Sequence, residues 1–174
     1  MKILLKEQEY QELDKYLGEI EEKNKSFQKS IATGNITADA ILEQKYSEAE
    51  AMGIPVKLDI SLPEQLPMKK MDFCAVVSNL FDNAIEASAI EKPAIWIEIK
   101  PVKGYLSFLF KNRVSQTIKD KKNILQTNKN PLEHGLGLKI VKEIVDNYQG
   151  QMDIRFMDDC FSVRVLIFLE AFQK

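Results

Sequence analysis

Two cysteines, Cys74 and Cys160, and a single histidine, His134, are all that 174 residues contain of either type. Two thiols make no disulfide framework, so stability has to come from an apolar core. Cys74 sits in an apolar helical run and is read as part of that core. No stretch of eighteen apolar residues exists, so nothing in this sequence spans a bilayer. Met1 to Tyr10 has no long apolar segment of the kind that opens a signal peptide. The formal net charge is only -2, which excludes a general electrostatic drive toward nucleic acid or an anionic membrane. No internal repeat is visible. The chain therefore reads as cytoplasmic, or as the cytoplasmic piece of something larger, with no nucleic-acid partner and no membrane contact by this segment.

What is present suffices for one core, since 45% of the residues are hydrophobic. Residues 2–29 are highly charged and lack glycine except Gly18. Leu13, Tyr16, Leu17, Ile20 and Phe27 recur there at helical spacing, which predicts an amphipathic leading helix suited to pairing with a second copy. A break at Ala32-Thr33-Gly34-Asn35 separates residues 1–31 from a domain over 32–174. Thr37 is the expected N-cap of a helix over about 38–52 that ends at Gly53. Ile54 to Ile60 alternates as a strand, and residues 71–89 form an apolar helical run. Strands are expected over about 94–101 and 105–111, joined at Lys103-Gly104. A polar stretch from Asn112 to Glu133 follows, then a helix over about 137–148 closed by Gly150, then a hairpin around Asp158-Asp159. The sum is an α/β (α+β) two-layer sandwich: a mixed, largely antiparallel sheet covered on one face by helices.

Two segments carry chemistry. In Ser78-Asn79-Leu80-Phe81-Asp82-Asn83-Ala84-Ile85-Glu86-Ala87, the residues Asn79, Asn83 and Glu86 stand at i, i+4 and i+7 and so share one helix face. Neutral amide oxygens suit Mg²⁺, which keeps several waters and needs few protein ligands. About fifty residues on, His134-Gly135-Leu136-Gly137-Leu138 opens a second helix. Glycines at a helix start let the backbone approach a phosphate, and the free N–H groups and dipole end favour an anion. The pair suggests a site for Mg²⁺ and a nucleoside triphosphate. Each half has a plainer reading too: asparagines one turn apart bond to neighbouring turns, and Gly-x-Gly is a common turn.

Taken together with Thr33-Gly34-Asn35 and Asp39-Ala40-Ile41-Leu42-Glu43-Gln44-Lys45, these segments resemble the GHKL ATPases. The likeness is greatest to the catalytic domains of quorum-sensing sensor histidine kinases of the accessory-gene-regulator type, and it covers roughly residues 31–172. It implies the Bergerat form of the sandwich, with ATP and Mg²⁺ as cofactors. Asn83 matches the metal-binding asparagine. Asn79 stands where hydrolytic members carry a glutamate base; an amide cannot serve as a base, which favours transfer to histidine over hydrolysis. Glu86 departs from the lysine common in histidine kinases, so Lys129, in Thr127-Asn128-Lys129, becomes the candidate cation. Asn112 takes the place of the aspartate that accepts from the adenine amino group, and the glycine-rich box that should follow is missing. Gly135, Leu136, Gly137 and Leu138 are the phosphate-side residues, and His134 matches the His-Gly-x-Gly-Leu form as a lid or phosphate contact, not as nucleophile or metal ligand. Ile85, Ile124, Leu125 and Leu138 either wall the adenine or belong to the core.

The resemblance also implies partners: a phosphoacceptor histidine on a dimerisation helix, and a downstream response regulator. In full sensor kinases of this type that histidine precedes the Thr-Gly-Asn turn, and this sequence has no histidine before His134. The chain as it stands is therefore expected not to phosphorylate itself. Two alternatives stay open, an anti-sigma-type serine kinase and a non-catalytic nucleotide-dependent protein-binding module.

Overall fold

In the computed structural model, residues 31–88, 92–114, 135–157 and 159–169 are described. The chain divides into two units, Met1–Ile31 and Ala32–Lys174. The leading helix expected over residues 2–29 lies outside the described residues.

Helix α1 (Ile36–Ala51) starts two residues earlier than expected, and its N-cap is Asn35, not Thr37. The Asn35 side chain accepts from the Ala38 N–H at 3.1 Å. Asp39 in the first turn is engaged by both the N–H and the hydroxyl of Thr33. Asn35 serves the N–H end of the helix and Asp39 ties Thr33 back to its first turn, so Thr37, already inside the helix, has no capping role left. At the other end the Ile54 N–H bonds to Ala49 and the Gly53 N–H to Glu50, with Gly53 at φ +70°. That is the Schellman closure that a left-handed glycine permits.

Strand β1 (Val56–Ile60) leads into helix α2 (Lys70–Glu86). Lys69, at the N-cap of α2, provides no side-chain cap. The phenol of Tyr148 substitutes: it accepts from the Lys69 N–H at 3.0 Å and donates to the Asp72 carboxylate at 2.5 Å. Burial pushes this phenol above its ordinary pKa, and the Asp72 carboxylate adds to the shift, so it keeps the proton it donates. Tyr148→Phe is expected to cost about 1 kcal/mol, because it strips two polar groups of a partner at once. A lower urea midpoint with an unchanged slope would register the loss.

Strands β2 (Ile95–Val102) and β3 (Tyr105–Arg113) form the predicted hairpin, with Lys103 at φ +49° and Gly104 at φ +83°. Positive φ at both turn residues is the type I′ geometry that fits the strand twist. Helix α3 (Gly135–Asn147) and strands β4 (Gln151–Met157) and β5 (Cys160–Phe168) complete the domain. Gly150 was expected to close α3, but the left-handed residue there is Gln149, at φ +51°.

The sheet order is β1-β2-β3-β5-β4, with β1 parallel to β2 and every other neighbour antiparallel. Period-two alternation turns one face inward, giving apolar rows across the strands. One row is Leu58, Ile97, Phe110, Val163, Ile154; the next is Ile60, Ile99, Phe108, Val165, Met152. Helix α2 lies over the central strand and runs with it: Phe73 meets Phe108 at a ring-centroid distance of 5.6 Å, and Phe81 meets Phe110 at 6.0 Å. These four rings and Leu42, Leu80, Val141 and Val145 are the middle of the core. Among the described residues, no helix is long and apolar enough to cross a membrane.

Candidate functional site

The third inward row reads Val56, Ile95, Asn112, Phe161, Phe156. Asn112 replaces the expected apolar side chain at its centre and is 1% exposed. Its amide nitrogen makes a long 3.4 Å contact with the Arg113 carbonyl, and its side-chain oxygen has no partner among the described residues. That oxygen is not fully sealed, since among the described residues the buried side-chain polar atom left without a partner is Ser88 Oγ, so a ligand reaching the end of the row could pair with the Asn112 amide. The phenylalanine pairs show that α2 and β3 run in the same direction, so Asn112 lies at the end of β3 toward which the C-terminal half of α2 points. That half carries Asn79, Asn83 and Glu86.

Asn79 is tied into the fold. Its Nδ2 donates to the Ala75 carbonyl at 2.7 Å, the bond of an asparagine turned back on its own helix. Its Oδ1 faces α3 at Gly137, where a Cβ would stand only 2.9 Å away. Gly137 has ordinary helical φ, so glycine is needed there for close approach rather than for a left-handed turn. The first turn of α3 is thereby held against α2 at Asn79. Asn83, one turn on and on the same flank, is half-buried and makes no side-chain hydrogen bond among the described residues. Glu86 is exposed.

Leu136, between the two glycines, is 75% exposed, whereas Leu138 is buried with Val141 and Val145 on the inward side of α3. Of the apolar residues considered as an adenine wall, Leu138 is thus a core residue and Ile85 is half-buried. Thr127, Lys129, His134, Ile124 and Leu125 lie outside the described residues. Among the described residues no cluster of three histidine, cysteine, aspartate or glutamate side chains could cage a metal. An ion that keeps most of its water and takes one amide oxygen fits the free Asn83 better than a metal needing a full protein cage. Both thiols are half-buried, and burial pushes each above the ordinary cysteine pKa, so neither is an activated nucleophile.

A shallow groove of about 440 Å³ opens on the sheet, lined by Lys57, Asp59, Trp96, Glu98, Leu109 and Lys111. Most of these point to the face away from the helices, and none of the candidate nucleotide residues lines it. The polar features gather instead on the helix side, at the Asn112 end.

Residues 68–168 match a family model described as the GHKL domain. The chain belongs to the GHKL family. This GHKL domain is similar in fold to a histidine kinase of Acinetobacter baumannii, AdeS, at TM-score 0.59 and 16% identity, over 77% of this chain and 64% of that one. It is similar to the catalytic domain of histidine kinase ThkA at TM-score 0.58 and 19% identity, over 78% of this chain and 94% of that one. A mycobacterial sensor histidine kinase, MprB, gives TM-score 0.56 and 15% identity, over 76% and 93%. At such identities the likeness is one of fold. The chain spans less than two thirds of the AdeS chain it matches. A search of curated proteins gives no match.

One polar arrangement in this GHKL domain carries no role in the sequence reading. Lys45 of α1 reaches Asp82 of α2 at 2.8 Å and Glu48 at 2.7 Å. Its signal was visible, since Ala38, Leu42, Lys45 and Ala49 form one helical stripe and a lysine interrupts it. The partner on another helix had no local signal.

Proposed function

We propose that this chain is the ATP-binding catalytic domain of a two-component sensor histidine kinase, of the accessory-gene-regulator type, that binds Mg·ATP and transfers the γ-phosphate to a histidine on a dimerisation helix. The observation that carries this reading is Asn112: a buried amide in an apolar row, at the end of the sheet toward which the Asn79–Asn83 helix runs. A nucleobase with an amino group and a ring nitrogen supplies what that amide lacks, a donor and an acceptor. When bound, Mg²⁺ would offset phosphate charge during transfer. Asn83 would hold it through its amide oxygen. The N–H groups opening α3 at Gly135 to Gly137 would meet the phosphates, with Lys129 and Thr127 contacting them from the polar stretch between Asn112 and Gly135, which serves as the lid in this reading, and His134 beside the glycines. Glu86 brings no positive charge, so the lid cation matters more here.

Asn79 argues against the anti-sigma-type serine kinase. That chemistry needs a base at this position, and an amide bonded to Ala75 and packed on Gly137 takes no proton. The non-catalytic binding module is separated by activity. The purified chain is expected to pass radiolabel from [γ-³²P]ATP to a supplied helical hairpin carrying a phosphoacceptor histidine, and not to a serine substrate. No transfer to either, with nucleotide still bound, favours the binding module. In this reading residues 1–31 belong to the dimerisation region and 32–174 to the catalytic domain, the cytoplasmic portion of a membrane sensor that signals to a response regulator. Pairing of the leading helices predicts a homodimer. Sedimentation of the intact chain should therefore exceed the monomer value, and a version starting near Ile31 should not. Two monomers at tens of micromolar would count against the pairing.

A further inference from the structure

A lysine on the inward stripe of α1 needs a reason. The Lys45 side chain is 10% exposed, among Ala38, Leu42 and Ala49 on the same buried stripe. Burial opposes its charge, but the hydrogen-bonded carboxylates of Asp82 and Glu48 outweigh it and hold the ammonium above its ordinary pKa. Glu48, one turn along the same helix, provides a local partner. Asp82 does something different: it lies on α2, three residues after Asn79 and next to Asn83. Its second oxygen also accepts from the Ser78 hydroxyl at 3.4 Å.

An ion pair whose carboxylate is 44% exposed contributes little to stability. Desolvating the lysine costs more than leaving an apolar residue on the stripe. The property such a pair can supply is registry between two elements. Successive residues on a helix point about 100° apart, so fixing Asp82 toward α1 fixes the direction of Asn83. On the other flank Asn79 rests against Gly137 of α3. The turn that carries Asn83 is thus gripped from both sides, by a polar link to α1 and a close contact with α3.

We propose that Lys45 is a positioning residue, which by holding Asp82 sets the rotation of α2 that aims the Asn83 amide at the metal-bound nucleotide. The proposal rests on the Mg·ATP reading above. It separates the two partners of Lys45, which lie at nearly equal distances: the Asp82 link orients the site, and the Glu48 link does not.

Calorimetric titration with a non-hydrolysable ATP analogue, with and without Mg²⁺, tests it in the full chain. The wild-type titration tests the nucleotide reading first, and no binding there ends both ideas. Given binding, Asp82→Asn is expected to weaken the Mg²⁺-dependent affinity by about tenfold, while metal-free binding stays within about twofold. Glu48→Gln should leave both affinities within about twofold. Lys45→Met should behave like Asp82→Asn, and Lys45→Arg should stay near wild type. Because Asp82→Asn leaves Lys45 paired with Glu48, that variant keeps its buried charge compensated if Lys45→Met fails to fold. A merely structural pair predicts lower melting temperatures for Asp82→Asn and Glu48→Gln alike, with Mg²⁺-dependent affinity unchanged in both. That result overturns the proposal, and so does an equal loss with and without Mg²⁺, which would mark general loosening.

Discussion

Asn83→Ala is expected to weaken Mg²⁺-dependent nucleotide binding by about 1–3 kcal/mol, the range for losing a hydrogen bond or ligand contact to a charged group. That corresponds to roughly fivefold to more than a hundredfold in affinity. The residue is suited to the test because its amide makes no side-chain hydrogen bond among the described residues, so truncation breaks nothing there that holds the fold. Alanine is also the better helix former, which moves stability in the opposite direction to the binding loss. A drop in affinity at equal or higher urea midpoint therefore reports on the site and not on folding. Binding in the absence of Mg²⁺ should change little. If Mg·nucleotide affinity is the same in the variant, Asn83 is not a metal ligand. Asn79 offers no such clean test. Its truncation removes the bond to Ala75 and the contact with Gly137 together, so any binding change would mix site and packing.

The strands were readable because their inward faces alternate strictly. Leu106, Phe108 and Phe110 place Asn112 on the same face by counting alone, and β3 confirms it. The type I′ hairpin was readable because Lys103-Gly104 meets a local stereochemical demand. Helix ends were less legible where neighbouring polar side chains compete. Thr37 and Asn35 are both acceptable caps by residue type, and the choice between them follows from Asp39 engaging Thr33 while the Asn35 side chain reaches Ala38. Long-range polar partners had no local trace at all. Tyr148 and Asp72 are 76 residues apart in sequence, and Lys45 meets Asp82 only because α1 and α2 pack side by side. The glycine pair illustrates a further limit. Sequence spacing marks Gly135 and Gly137 as equivalent phosphate candidates, but close packing on Asn79 gives Gly137 a second duty that spacing does not encode.

Gly150→Ala is expected to destabilise the domain by about 1–3 kcal/mol, through overpacking and not through backbone strain. Gly150 is absent from the positive-φ residues; the left-handed conformation at this helix end is taken by Gln149. What glycine provides is room. A Cβ at position 150 would stand 2.6 Å from the Leu166 carbonyl oxygen, 2.7 Å from the Ile167 Cδ1 and 3.1 Å from the Val145 Cγ1. Ile167 could swing aside, but the Leu166 carbonyl cannot do so cheaply. Leu166 is an inner-strand residue, paired with Ser107 of β3 on one side and Gln151 of β4 on the other. Relief must come from moving the chain that joins α3 to β4, and that chain is pinned by the Gly150 N–H bond to the Val145 carbonyl. The expected result is a lower urea midpoint at unchanged slope, since the fold and its buried surface stay the same. Gly53 supplies the contrast: it lies at φ +70° with nothing within 4 Å of a new Cβ, so any cost of Gly53→Ala comes from backbone conformation alone. A Gly150→Ala protein as stable as wild type would mean that the α3–β4 junction yields without loss. The close seating of α3 on the sheet would then not be what fixes its other end, where Gly137 meets Asn79.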